Sequence, residues 1–328
     1  MFETIISFEN LCAAWQEFVI GKKTKKDVAD FSFNLSGNLY ALHEDLENKT
    51  YEHGVYHAFK ISDPKPRDIH KATVRDRVLH HAIYRVLYPY FDRKFVCDVY
   101  SCRNEKGIHR AIRRFEGFAR KVSKNNMRTC WVLKCDIRKF FASIDQATLM
   151  RIIGRHVPDR DAVWLFQKVI GSFENATGKG LPLGNLTSQL LVNVYMNEFD
   201  RFVKHGLREK YYVRYADDFV VLRENRQHLE DLIPTISDFL EQELKLSLHP
   251  RKVKIATWSS GVDFLGWVCF PDHKVLRTTT KRRMLKRFAQ NPSDPTINSY
   301  LGMLKHGNAQ KMKKQVLALL PDEQDDVS

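Results

Sequence analysis

The tetrapeptide Tyr215-Ala216-Asp217-Asp218, set between apolar runs at 211–213 and 219–222, constrains this chain more than any other feature. Two short strand-like runs joined by an Ala-Asp-Asp tip predict a β-hairpin, which holds its tip rigidly. Adjacent aspartates repel unless a cation neutralises them, and a rigid pair of hard oxygen ligands suits Mg²⁺. A third carboxylate lies upstream, where the apolar run Trp131-Val132-Leu133-Lys134-Cys135 ends in Asp136. Two metal ions that clamp the attacking and leaving oxygens of a phosphoryl transfer need at least two bridging carboxylates. Asp136 and Asp217 are the candidates for that role, with Asp218 in support.

Charge narrows the substrate. The chain has 328 residues and a net charge of +14, and a basic enzyme of this size most often meets a polyanion such as nucleic acid. Between Lys274 and Lys314 eleven Lys or Arg stand against one acid, Asp294, and the tail then turns acidic at Asp322, Glu323, Asp325 and Asp326. The basic segment predicts a nucleic-acid grip and the tail a solvated end. Hydrophobic content of 43% predicts a soluble globular chain of two or three subdomains. No apolar stretch approaches the ~20 residues that span a bilayer. The start, Met1-Phe2-Glu3-Thr4, lacks signal-peptide character, so a cytoplasmic protein without membrane partners is expected.

Six cysteines give no zinc or disulfide framework. Cys97/Cys102 and Cys130/Cys135 are spaced too widely for a Cys-x₂-Cys pair, and Cys130 and Cys135 read as buried thiols. His80-His81 reads as packing or surface rather than as a metal site.

Helical spacing runs through 6–50, with Phe8, Leu11, Trp15, Phe18 and Val19 on one stripe and Leu39, Leu42 and Leu46 on another. A strand is expected at 51–61, ended by the turn Asp63-Pro64-Lys65-Pro66. Helices are expected at 76–91, 107–122, 146–156, 162–173, 188–206 and 229–244. Short strands are expected at 253–257 and 263–270, and helix after Thr278. Strands and helices interleave without a βαβ rhythm, which predicts an α+β fold.

The motif order resembles the reverse transcriptases, specifically the bacterial and phage enzymes related to group II introns and retrons. Lys65-Pro66-Arg67 with Val74-Arg75-Asp76-Arg77-Val78 resembles the first family motif, and Tyr100-Ser101-Cys102-Arg103 with Lys106-Gly107 the second. Asp136-Ile137-Arg138-Lys139-Phe140-Phe141-Ala142-Ser143-Ile144-Asp145 resembles the third, and Gly180-Leu181-Pro182-Leu183-Gly184-Asn185-Leu186-Thr187-Ser188-Gln189 the fourth. Tyr215-Ala216-Asp217-Asp218 is the fifth. Leu246-Ser247-Leu248 with Lys252, then Phe264-Leu265-Gly266-Trp267, resemble the sixth and seventh.

That resemblance implies a right-hand polymerase with fingers, an antiparallel palm sheet and a helical thumb. Its boundaries would be an N-terminal helical extension at 1–59, fingers at 60–135, palm at 136–270 and thumb with acidic tail at 271–328. It implies two Mg²⁺ ions held by Asp136, the Ile137 backbone, Asp217 and Asp218. Lys65, Arg67 and Arg75 would bind the triphosphate of a dNTP, together with Leu183, Gly184 and Gln189, while Arg77 reads as ordinary surface basicity. Phe141 would be the steric gate against a ribose 2′-OH, with Phe140 in the core. Lys252 would be the general acid for pyrophosphate, and Phe264 to Trp267 the primer grip.

One departure points to a subtype. Most relatives carry Gln-Gly-x₃-Ser-Pro in the fourth motif; this chain has Leu183-Gly184-x₃-Ser188-Gln189. Leu for Gln and Gln for Pro resemble the reverse transcriptases of diversity-generating retroelements. These copy a template RNA into cDNA with errors at adenines, and work with a small basic oligomeric accessory protein. The resemblance thus implies template RNA, RNA–DNA hybrid and such a protein as partners, in a bacterial or phage setting. No room is expected for an RNase H or endonuclease domain. The rivals are a retron-like, intron-like or phage-defence enzyme, and an inactive RNA-binding scaffold.

Overall fold

Nine strands and fourteen α-helices form the computed structural model, which describes residues 1–62, 66–290 and 294–317. Lys65 and the acidic residues of the tail lie outside the described residues. The strands are β1 (His57–Ile61), β2 (Arg67–Lys71), β3 (Trp131–Asp136), β4 (Tyr212–Tyr215), β5 (Asp218–Arg223), β6 (Lys254–Thr257), β7 (Val262–Phe264), β8 (Trp267–Cys269) and β9 (Lys274–Leu276).

The central sheet has the order β4-β5-β3-β6 and every pairing in it is antiparallel. Side chains alternate along each strand, and this sheet is covered on both faces. Leu133, Cys135, Phe219, Val221 and Tyr212 point into the larger core with helices Leu186–Arg201 and Arg226–Leu244. Val132, Val213, Val220 and Leu222 point the other way, into a second core with helix Ile108–Val122, Phe264, Trp267 and Met284. Each large apolar side chain buried this way contributes roughly 1.5–3 kcal/mol. The thiols of Cys130 and Cys135 are buried, as their apolar neighbours predict.

The N-terminal helices Phe2–Ile6, Phe8–Val19, Lys26–Phe33 and Leu35–Glu47 pack on helix Val74–Asp92 through Leu11, Trp15, Phe18, Leu39, Leu42 and Leu46. Local chemistry sets several helix starts. Thr73 Oγ1 accepts from Asp76 N, and Asp145 Oδ1 accepts from Thr148 N at 2.8 Å, so the aspartate closing the third motif is a cap. β1 and β2 form a separate hairpin, with β1 exposed throughout.

Three expected elements are corrected. Residues 51–56 are not strand, since extension begins only at His57. The predicted strand at 263–270 is two strands, β7 and β8, folded back through Leu265 (φ 52°) and Gly266 (φ 87°). Two positive φ values in a two-residue loop match the twist of a hairpin, and Leu at the first position hid the turn. Helix 188–206 starts at Leu186 and ends at Arg201, with a π turn over Phe202–Gly206. β3 begins at Trp131, so a boundary at 135 falls inside a strand of the central sheet.

Candidate active site

The hairpin forms, and its tip is strained. Tyr215 pairs with Asp218, leaving Ala216 and Asp217 as a two-residue turn in which Ala216 has φ 54°. A left-handed non-glycine residue costs roughly 1–2 kcal/mol, so something else must hold it. That is Arg214, whose Nη1 donates to the Ala216 carbonyl at 2.9 Å. The Arg214 guanidinium is fully buried and paired to the fully buried Asp200, through Nε to Oδ1 and Nη2 to Oδ2, both at 2.7 Å. Tyr212 Oη donates to the same carboxylate at 2.6 Å. A bidentate, hydrogen-bonded pair of this kind fixes geometry as well as charge.

Register brings the third carboxylate in. Asp136, the last residue of β3, pairs directly with Asp218, the first of β5, so both side chains lie on one face. Ile137 N donates to the Asp217 carbonyl at 3.1 Å, and His249 N to the Asp136 carbonyl at 2.7 Å. Three acids from two segments about 80 residues apart in sequence (Asp136 to Asp217 and Asp218) thus meet at one end of the sheet. Lys252 Nζ donates to Asp136 Oδ2 at 2.7 Å.

The aspartates perturb one another. Burial pushes the Asp218 carboxyl up to about 6, Lys134 opposes the rise, and Asp217 and Asp136 add to it. Burial, then Asp136, raises Asp217, against the charges of Lys252 and Arg67. Asp218 Oδ1 is buried, and no donor among the described residues hydrogen-bonds it. Lys134 Nζ stands 3.5 Å from that atom as an ion pair. A cleft of about 460 Å³ opens on the site, lined by Lys134, Asp136, Asp218, Lys252, Asp263 and Arg277 among others.

Among the described residues no group of three or more His, Cys, Asp or Glu closes into a metal cage. Mg²⁺ is usually bound by one or two carboxylates, with water and substrate phosphates completing its shell, and not by an all-protein cage. An oxygen-only donor set with an orphaned buried Asp218 Oδ1 fits that ion.

The other candidates fall at several places. Arg67 opens β2 and its charge reaches Asp217. Arg75 is not brought to the aspartates: it ion-pairs with Asp45, donates to the Glu52 carbonyl and lies over the Tyr51 ring. Arg77, read as surface, is half-buried against Phe18 and paired with Asp27. Phe140 is core; Phe141 is half-buried with its ring edge-on to Phe140, and its carbonyl accepts from Leu181 N at 2.9 Å.

The fourth motif is docked on β2. His70 N donates to the Leu183 carbonyl, and Asn185 Nδ2 to the His70 carbonyl, both at 3.0 Å. Gly184 has φ 106°, and a Cβ there would come within 2.8 Å of Ile69, so the close approach it permits is to β2. Leu183 and Gln189 are half-buried. Phe264 and Trp267 anchor the β7–β8 hairpin in the second core, with Leu265 and Gly266 at its tip. Sequence reasoning missed Arg214, Lys134 and Asp200; a charge inside an apolar strand was the available signal for the first two, while Asp200 ends a helix beside other charges.

Residues 60–269 match the profile of the family described as reverse transcriptase (RNA-dependent DNA polymerase). The chain belongs to that family. Among similar proteins, protein YkfC of Escherichia coli K12 is 25% identical over 276 residues, covering 72% of this chain and 70% of that one. The group II intron-encoded protein LtrA of Lactococcus lactis subsp. cremoris is 24% identical over 295 residues, covering 68% of this chain. The chain spans 47% of that relative's length. Apo telomerase from Candida tropicalis shares the fold at a TM-score of 0.51 and 10% identity, over 67% of this chain and 48% of that one. The central sheet is therefore the palm of a reverse-transcriptase fold. Among the described residues no helix is long and apolar enough to cross a membrane.

Proposed function

We propose that this reverse transcriptase is the mutagenic polymerase of a diversity-generating retroelement, which extends a primer on template RNA with dNTPs and miscopies adenine. The observation that carries the subtype is Leu183 in place of the family's glutamine, with Gln189 in place of its proline. In support, the Leu183 backbone carbonyl accepts from His70 N of β2, the strand that Arg67 opens. An amide there can donate and accept around the nascent pair; Leu183 can do neither, and geometric checking of that pair loosens.

Asp136, Asp217 and the Ile137 carbonyl would hold two Mg²⁺, with Asp218 in support. When bound, the ions lower the pKa of the attacking 3′ hydroxyl and neutralise the leaving pyrophosphate. Lys252 neutralises Asp136, and its ammonium would pass a proton to that pyrophosphate. Arg67 sets positive charge beside Asp217 for the triphosphate, and Phe141 excludes a 2′-OH. The basic C-terminal helices track the RNA–DNA hybrid through its backbone. Template RNA and a small basic accessory protein would supply the rest of the cycle in a bacterial or phage cytoplasm.

The test is extension of a primed RNA with Mg²⁺ and dNTPs, with the cDNA sequenced, for the parent and Leu183→Gln. Adenine errors in the parent that fall about tenfold in the variant are expected, the size of a lost polar check of ~1.4 kcal/mol. Unchanged adenine errors remove Leu183 from the explanation. Accurate copying by the parent supports the second reading, an intron-like or defence polymerase, which the likeness to an intron-encoded protein favours.

A further inference from the structure

Lys134 is a charged residue in an otherwise apolar strand, and the mechanism above does not use it. Strand periodicity puts it on the Asp136 face. It pairs with Val220 across β3–β5, which makes Asp218 its diagonal neighbour, within reach of a long side chain. On its other side it faces Lys254 of β6, whose like charge favours an orientation toward the aspartates. Only 18% of the Lys134 side chain is exposed.

The ammonium makes two contacts that join separate parts of the chain. It stands 3.5 Å from Asp218 Oδ1, and it donates to the backbone carbonyl of Asp263, on β7, at 2.7 Å. The Asp263 carboxylate is in turn paired with Arg277, whose Nε donates to it at 2.8 Å. Arg277 N donates to the Gly266 carbonyl at the β7–β8 tip, at 3.0 Å, and the Arg277 carbonyl accepts from Lys281 N in the first turn of helix Thr278–Gln290. A continuous path therefore runs from an active-site carboxylate to the hairpin tip and to the root of the C-terminal helices. The path crosses the 460 Å³ cleft, beside the second core in which Phe264 and Trp267 pack against the sheet.

We propose that Lys134 is a positioning residue that brackets Asp218 to the Val262–Cys269 hairpin and, through Asp263 and Arg277, to the C-terminal helices. The bracket keeps the aspartates and a primer terminus held by that hairpin in one register. Its primer half rests on the polymerase reading above; the bracket itself does not. Lys134→Met leaves the Asp263 carbonyl without its donor and Asp218 Oδ1 without its ion-pair partner, while Lys134→Arg can serve both.

The full chain is tested as parent, Lys134→Met and Lys134→Arg. In hydrogen exchange without RNA or metal, amides of 262–277 exchange about tenfold faster in Lys134→Met, while helix Arg226–Leu244 keeps its protection and shows that the variant is folded. In primer extension, kcat falls and KM for primed template rises, each about tenfold, the low end for partners that orient metal-site carboxylates. KM for dNTP is unchanged, and Lys134→Arg recovers most of the loss. Arg277→Gln cuts the bracket at its far end and gives the same primer defect, non-additive with Lys134→Met.

Unchanged protection, or additive defects, overturns the bracket. Lost protection with normal primer kinetics overturns the positioning role. A parent that shows the protection pattern but extends no primer supports the bracket and counts against the polymerase reading instead.

Discussion

A buried charge cluster at Arg214 and a half-buried one at Asp217 stand three residues apart on the β4–β5 hairpin, and they are built on opposite rules. Around Arg214 every charge is answered: Asp200 takes both ends of the guanidinium, and Tyr212 bonds the same carboxylate. Around Asp217 like charges are crowded, Asp218 keeps an orphaned oxygen, and both carboxyls are raised. The first cluster is a clamp; in the second, charge at Asp218 Oδ1 is left unanswered by hydrogen-bond donors among the described residues. A protein tolerates the second because the first, through the Ala216 carbonyl, holds its backbone in place.

The sharpest break between the two is Asp217→Asn. It removes a like charge, so the protein melts no lower than the parent, while dNTP incorporation falls about a thousandfold or more, the scale of losing an electrostatic stabiliser of the transition state. Retained activity with Mg²⁺ would remove Asp217 from the site. In the clamp the effect moves to stability. Asp200→Asn leaves Arg214 buried without its counter-charge, which costs about 3–5 kcal/mol. Denaturant unfolding measures it, and a loss below about 1 kcal/mol, the range of an exposed pair, would show that the pair is not the clamp.

The smallest effect concerns pH without divalent cations. The Asp218 carboxyl is raised to about 6 in the folded protein, against about 4 for a free aspartate. A raised acid binds its proton more tightly when folded, so its contribution to stability is complete below about pH 4. It is lost as pH rises through about 6. Asp218→Asn flattens that slope, and Mg²⁺ binding opposes it. Melting curves from pH 4 to pH 7 with and without Mg²⁺ test this, and an equal slope in parent and variant would refute the assignment.

The aspartates were legible because a hairpin tip flanked by apolar runs is a local pattern, and because the third carboxylate ends an apolar strand of its own. Phe140 and the buried thiols were legible for the same reason. Leu265-Gly266 was not read as a turn, since leucine rarely takes φ 52° and nothing local signals it. Arg75 followed its motif in the sequence, yet the N-terminal helices offer Asp45 as a partner and hold it away from the aspartates. Arg214 and Lys134 read as strays in apolar strands because Asp200 and Asp263, which answer them, lie 14 and 129 residues away in the chain.

The sequence by itself determined most of the elements, the α+β class and the residue types for phosphoryl chemistry, because strand periodicity, turn chemistry and charge are properties of neighbours along the chain. Tertiary structure alone decided the pairing of Asp136 with Asp218, the docking of Leu183 on β2, and the clamp and bracket that fix them. Those depend on which strands become neighbours, and that is set by burying both faces of one sheet at once.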